Sequence, residues 1–276
     1  MFLLCMHSKI EVIIVSLYQQ NNDSKNCPLP MKILVCISHV PDTTSKINFN
    51  ADQTAFDTAG VQYVINPNDE FGLTRALWFK EKQGAAIHVV NVGGPETEPT
   101  LRKALAIGAD EAIRINQPAT DGYSVAQALA IVVQEGQYDL VIAGRESIDY
   151  NGGMVPGMVA KICGYAFVNT CIGLDIDRAS VTAVREIDGG KENLKTTLPL
   201  VIGGQKGLVE ESDLRIPNMR GIMQARTKPL HVKQTEHPNA MSQTLRYEKP
   251  APKQAVTLVE NAEQLINLLH QEAKVI

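Results

Sequence analysis

The sequence lacks the basic surplus that a nucleic-acid surface needs: 26 Lys and Arg stand against 30 Asp and Glu, a formal net charge of -4. Aromatic residues make up 5% of the chain and nowhere interleave with a basic run, so nucleic acid is not an expected partner. The cysteines Cys5, Cys27, Cys36, Cys163 and Cys171 form no CxxC pair, and their odd number fits packing in a reducing compartment better than a disulfide framework. The histidines His7, His39, His88, His231, His237 and His270 form no HxxxH pair, so neither a metal centre nor a nucleophile with its base is indicated. Neither GxGxxG nor GxxxxGK[ST] occurs, which withholds the dinucleotide fingerprint and the Walker loop. Long apolar runs are missing too. The apolar opening of residues 1–30 has no positive n-region and is broken by His7, Ser8, Lys9 and Glu11, so neither membrane insertion nor export is expected. Residues 1–30 read as an upstream extension or a poorly ordered tail, with the folded protein beginning at Met31.

From Met31 onward, short apolar runs alternate with longer helical ones, the pattern of an α/β protein with a doubly wound, mainly parallel sheet. Strands are expected at 32–37, 86–91, 112–115 and 140–143, and helices from Asn66 to about Lys82, over 97–107 and over 120–135. Right-handed crossovers place ligands at the carboxyl edge of such a sheet. Four loops reach that edge: 38–43, 66–69, 93–95 and 149–157. The last is the most informative. Val141, Ile142 and Ala143 run into Gly144, then Asp149, Asn151, Gly152, Gly153, Pro156 and Gly157 bare backbone N–H groups before a helix starts near Val155. The same segment also reads as an ordinary strand-to-helix loop.

After Cys163 the texture becomes β-rich. A hairpin is expected over 170–186 around Asp177-Arg178-Ala179, with further extended runs at 192–197 and 200–203, either continuing the same sheet or forming an antiparallel annex. Residues 229–252 carry four prolines without apolar periodicity and read as an extended linker, and 257–274 reads as a terminal helix. Its apolar face, with Leu258, Ala262, Leu265, Leu268 and Leu269, folds back or reaches over a partner subunit. The expected division is therefore 31–228 and 229–276.

Several segments in order give the chain a family resemblance. VREIDGGKENLKTTLPLVI at 184–202 is the most specific, with a basic residue, an acidic-Gly-Gly turn, Glu, an aliphatic residue and Pro before a hydrophobic strand. It is joined by VPDT at 40–43, INPNDEFGLTRAL at 65–77, GGPETEPTLRKALAIGADEAI at 93–113 and DLVIAGRESID at 139–149. The chain resembles the β subunit of electron transfer flavoprotein from Met31 to the C-terminus. Gly203 departs from the small residue, often Thr, Ala or Cys, that usually follows the signature strand.

The resemblance implies a Rossmann-like fold of the adenine nucleotide alpha hydrolase type and no catalytic residues. It implies a cytoplasmic, bacterial-type chain paired with an α subunit that holds FAD. The heterodimer carries electrons from flavin dehydrogenases, such as the acyl-CoA dehydrogenases of fatty acid oxidation, to a quinone oxidoreductase or another acceptor. It further implies an adenine nucleotide in this subunit, structural AMP or a second FAD in the electron-bifurcating branch that oxidises NADH. The matching positions are Cys36, the loop Asn66, Pro67, Asn68 and Asp69, Gly93, and the segment Asp149, Tyr150, Asn151, Gly152, Gly153, Met154, Val155, Pro156, Gly157, Met158, Val159 and Ala160. Met154-Val155-Pro156 matches neither the Gln-Thr-Gly of the AMP type nor the Gln-Val-Gly-Pro of the bifurcating type. Partner recognition is implied at Arg215, Ile216, Pro217, Asn218, Met219 and Arg220, with Met219 where the family has an exposed leucine. Met219 as ordinary loop packing, and Arg145 with Glu146 as either a phosphate contact or a surface pair, remain open. So does a nucleotide-binding module of the universal stress protein or ATP pyrophosphatase kind, although SGGxDS and GxxGxxxxS are both missing.

Overall fold

Runs of branched aliphatic residues form the central strands because both faces of each are covered. β1 (Lys32–Cys36) is buried from Ile33 onward, and β6 (Leu140–Gly144) and β10 (Leu200–Gly204) are buried along their whole length. The computed structural model describes residues 30–235, 240–252 and 256–276, so the expectation for residues 1–30 lies, apart from Pro30, outside the described residues.

β4 (Ala86–Val92), β5 (Glu111–Ile115), β7 (Ala166–Asp177), β8 (Ser180–Ile187), β9 (Gly190–Thr197) and β11 (Leu230–Lys233) complete a nine-stranded sheet in the order β11-β5-β4-β1-β6-β10-β7-β8-β9. The strands from β11 to β7 in that order run parallel, and β8 and β9 pair antiparallel at the far edge. The β-rich segment is thus an extension of the same sheet, because β10 returns to lie beside β6 and seats β7 next to itself.

α1 (Pro67–Gln83) and α2 (Glu98–Ile107) cover one face against Ile33, Val35, Ile87 and Ile142. α3 (Gly122–Gly136) and α4 (Val155–Cys163) cover the other against Leu34, Val90, Val141 and Val201. The chain winds outward from β1 through β4 and β5 and returns on the other side of β1 as β6, so the switch point lies between β1 and β6. α1 has a proline in its first turn, Asp69 and Glu70 there as well, Lys80 and Lys82 in its last turn, and Gly84 left-handed at its end. α3 starts later than periodicity suggests because Asp121 and Ser124 close a capping box at its head.

The sequence reading of 229–252 as linker is corrected over Leu230–Lys233, which add to the sheet as a parallel partner of β5. A strand of this length carries too few residues to display a period. A small ribbon of β2 (His39–Pro41) and β3 (Tyr63–Ile65) lies outside the main sheet. Contacts divide the described residues into one unit within 1–46 and 59–243 and a second within 47–58 and 244–276. In the second unit Phe49 bridges Phe56 and stacks on Tyr247 at 5.0 Å, and the Tyr247 N–H donates to Gln53. Its helix α6 (Ala262–Leu268) begins later than the expected residue 257, because the Asn261 side chain accepts the Gln264 N–H at 2.9 Å and caps the helix there. Leu258 precedes the helix. No helix among the described residues is long and apolar enough to cross a membrane.

Candidate functional site

The carboxyl edge is organised by the first turn of α1. Asn66 is fully buried at the helix head, and its Nδ2 donates to the Glu146 carbonyl at 2.9 Å while its Oδ1 accepts the Ile148 N–H at 3.4 Å. Pro67 opens the helix, and Asn68 Nδ2 donates to the same Glu146 carbonyl at 3.2 Å. Asp69 Oδ2 accepts the Ser38 N–H just past β1 at 2.7 Å, and Oδ1 accepts the Gly144 N–H at the end of β6 at 2.8 Å. One carboxylate therefore spans the two strands of the switch point. Burial pushes its pKa up to about 7, against the pull of the N–H donors.

Cys36, the last residue of β1, is buried and its thiol is pushed up by burial, then by the Asp69 charge, which makes it an inert packing group. Gly93 follows β4; its N–H donates to the Ile115 carbonyl at 3.0 Å, and its own carbonyl accepts Arg114 Nη1 at 3.2 Å. Arg114 is itself buried and also reaches Glu98 at 3.1 Å and Asn116 at 2.6 Å, tying β5 to this edge.

Beyond β6 the chain folds on itself, with Ser147 bridging Gly152. Asp149 Oδ1 accepts from Ser147 Oγ at 2.5 Å and from the Tyr150 N–H at 2.9 Å. Asn151 sits at φ 49, while Gly152, Gly153 and Gly157 keep ordinary backbone, so the unusual dihedral falls on the asparagine and not on the glycines. A Cβ at Gly152 would meet nothing within 4 Å, and one at Gly153 would stand 3.2 Å from the Arg145 carbonyl oxygen. Met154 and Tyr150 are exposed. Pro156, Val159 and Ala160 turn toward the sheet and are buried, and Met158 is half-buried against the same core. Gly157 faces the Phe167 ring, 3.3 Å from where its Cβ would be.

The heads of α1 and α4 at this edge differ in charge. α1 carries Asp69 and Glu70 in its first turn, whereas α4 has no acidic residue there; neither head has a side-chain cap on its amides. The α4 head is the end able to receive an anion. Arg145, beside it, is paired with Glu146 at 2.7 Å and Gln205 at 3.2 Å. Among the described residues no group of three or more His, Cys, Asp or Glu is placed to hold a metal ion. Ser38, Gly144 and the buried Asn91 belong to this edge as well; Asn91 Nδ2 donates to the Ile37 carbonyl at 2.8 Å and its Oδ1 has no partner. Only the position of Ser38 and Gly144 beside strand ends signalled them in the sequence.

Residues 53–237 match the electron transfer flavoprotein domain. The chain is 34% identical to the electron transfer flavoprotein subunit beta of Bacillus subtilis, over 89% of this chain and 100% of that protein. It is 34% identical to the Syntrophomonas wolfei protein of the same name, over 84% and 90%, and 32% identical to the mitochondrial one of Arabidopsis thaliana, over 89% and 100%. The chain belongs to the electron transfer flavoprotein β-subunit family.

Residues 215–220, where partner recognition is expected from the sequence, are held at the base and bare at the tip. Arg215 pairs with Glu81 at 3.0 Å and donates its N–H to Thr74 Oγ1 at 3.2 Å. Pro217 is half-buried, and Asn218 caps α5 (Met219–Ala225) by accepting the Gly221 N–H at 2.8 Å. Ile216 is 81% exposed, Met219 77% and Met223 68%, and Arg220 is exposed beside them. Ile222 and Met223 thus join Met219 on the open face, a set that the spacing of three and four residues could have revealed. The helix carries a single arginine and no lysine.

Proposed function

We propose that this β subunit works as the non-catalytic half of a heterodimeric electron carrier. In this reading it pairs with an FAD-bearing α subunit, receives electrons from flavin dehydrogenases and passes them to a quinone oxidoreductase or an equivalent acceptor. The residues at the carboxyl edge bind and orient; they include no paired acid, base and nucleophile. The adenine nucleotide belongs at that edge, with Asn66, Pro67, Asn68, Cys36 and Gly93 on the base side and residues 149–160 on the phosphate side.

The observation that carries the nucleotide reading is the contrast between the helix heads. The acid-free head of α4 suits a single phosphate, while Asp69 and Glu70 occupy the head of α1. That contrast favours AMP over a second FAD, whose pyrophosphate needs a longer run of donors. Val159 and Ala160 also seat α4 on the sheet.

Acid extraction of the purified heterodimer, followed by separation of its nucleotides, tests this. One FAD and one AMP per heterodimer is the expected result. Two FADs would replace it with the bifurcating reading, and ATP turnover by the isolated chain would replace it with a stand-alone nucleotide-binding module. The exposed face of Ile216, Met219, Ile222 and Met223 is proposed as the surface that meets the dehydrogenase, since flexible exposed methionines adapt to an apolar pocket.

A further inference from the structure

We propose that Asp69 is the positioning residue of the carboxyl-edge site: its ionised carboxylate locks the ends of β1 and β6 to each other and to the loop after β6, and so governs nucleotide affinity. The proposal rests on the reading of this edge as a nucleotide site. Its geometric basis is the two hydrogen bonds to Ser38 and Gly144, one on each side of the switch point. Gly144 is matched to it, because a Cβ there would stand 2.4 Å from Asp69 Oδ1 and 2.8 Å from Asn68 Cβ. Asn66 and Asn68 then carry the grip one step further, to Glu146 in the loop leading to α4.

The charged and titratable groups around Asp69 are otherwise engaged. Glu70, next in α1, pairs with Lys103 at 3.1 Å, and Glu146 pairs with Arg145 at 2.7 Å. From the end of β1 comes the Cys36 thiol, and from just past it Ser38. An ionised carboxylate offers lone pairs to both strand-end amides. A protonated one keeps a full acceptor only at its carbonyl oxygen, while its hydroxyl oxygen becomes a donor and a poor acceptor, so the bond to one of the amides weakens.

Burial brings this proton near neutrality, with the Asp69 pKa raised to about 7. Two consequences follow with opposite signs. A raised carboxyl pKa means the folded chain holds the proton more tightly than the unfolded one. This group's stabilising contribution is therefore complete below the ordinary carboxylate range and is lost as pH rises to about 7. Nucleotide affinity rises over the upper part of that window, because the ionised form sets the loop. By linkage, bound nucleotide lowers the Asp69 pKa. A carboxylate that acted only through its charge would show the reverse, since a phosphate nearby raises it.

The test uses the full-length chain with AMP as probe, titrated between pH 6 and 8, with carboxyl and amide resonances followed by NMR. AMP affinity is expected to rise about tenfold across that interval, the Asp69 midpoint to fall when AMP is bound, and the Ser38 and Gly144 amides to step with the Asp69 carboxyl. Asp69→Asn is expected to bind weakly with a flat pH profile. The wild-type measurements decide the matter even where that variant fails to fold. An Asp69 midpoint that rises or stays fixed with AMP overturns the proposal, as do Ser38 and Gly144 amides that ignore the carboxyl. Coupled amides in a chain that binds no AMP at any pH would overturn the nucleotide reading and the affinity role, and leave Asp69 as a clamp between strands.

Discussion

Gly221 of α5 lies against the Ala106 carbonyl at the end of α2, so close that a Cβ at 221 would stand 2.2 Å from that oxygen. The contact seats α5 on α2. Arg102 reinforces it by donating to the carbonyls of Ala225 and Lys228 at 2.7 and 2.8 Å, and Ala225 is buried on the same side. With that side fixed, Met219, Ile222 and Met223 are left outward.

Gly221→Ala gains helix propensity of about 1 kcal/mol, but forces a methyl onto backbone that cannot swing aside, at about 1–3 kcal/mol. The clash is expected to win. The variant should melt a few degrees lower, and protease should cut residues 215–228 faster than in wild type. Unchanged melting and cleavage would show that α5 is not held by this contact.

Met219→Ala separates docking from folding. The side chain is exposed in the free chain, so melting is expected to stay near wild type. Loss of about 1–3 kcal/mol of apolar burial in the complex should weaken dehydrogenase docking by tenfold to a hundredfold. Electron transfer measured across carrier concentrations reads the effect. A lower melting temperature with unchanged dehydrogenase kinetics would assign Met219 to packing.

Asp121 joins two roles. Its Oδ1 accepts the Ser124 N–H at 2.8 Å at the head of α3, and its Oδ2 accepts the Met241 and Ser242 N–H groups at 2.7 and 2.9 Å. These bonds, the Ser124 N–H foremost, hold its pKa down to about 2. A depressed carboxyl stabilises above the ordinary carboxylate range and loses that contribution as pH falls toward about 2. Asp121→Ala should cost about 0.5–2 kcal/mol at pH 7, as lost caps do. Melting curves at pH 7 and pH 2 should show the gap to wild type closing in acid; a gap that persists would point to a role other than the carboxylate's.

Gly153→Val tests the proposed phosphate side of the nucleotide site. The nearest atom to a Cβ there is the Arg145 carbonyl oxygen at 3.2 Å, a contact a small loop shift relieves, so the fold should survive. If the loop just before α4 holds the phosphate, a branched side chain there should lower the AMP recovered after dialysis by about tenfold or more, each tenfold corresponding to about 1.4 kcal/mol. Full retention of AMP would take this loop out of the site.

Much of this was legible in the chain itself. The apolar runs at Ile33, Val89 and Val141 determined buried parallel strands, Asn66-Pro67 and the following acids fixed the start of α1, and the ordered motifs identified the family. These signals are local, written within one turn or one strand. What only the tertiary structure decided is long-range. Asp69 meets Gly144 across 75 positions, Arg114 crosses to Gly93 from the neighbouring strand, and Leu230–Lys233 become a strand only because β5 has a free edge to pair with. Burial raises the Asp69 pKa, and the seating of Gly221 on Ala106 decides which residues of α5 face outward. Each depends on which parts of the chain exclude water from one another, and a sequence carries that information only through the fold it forms.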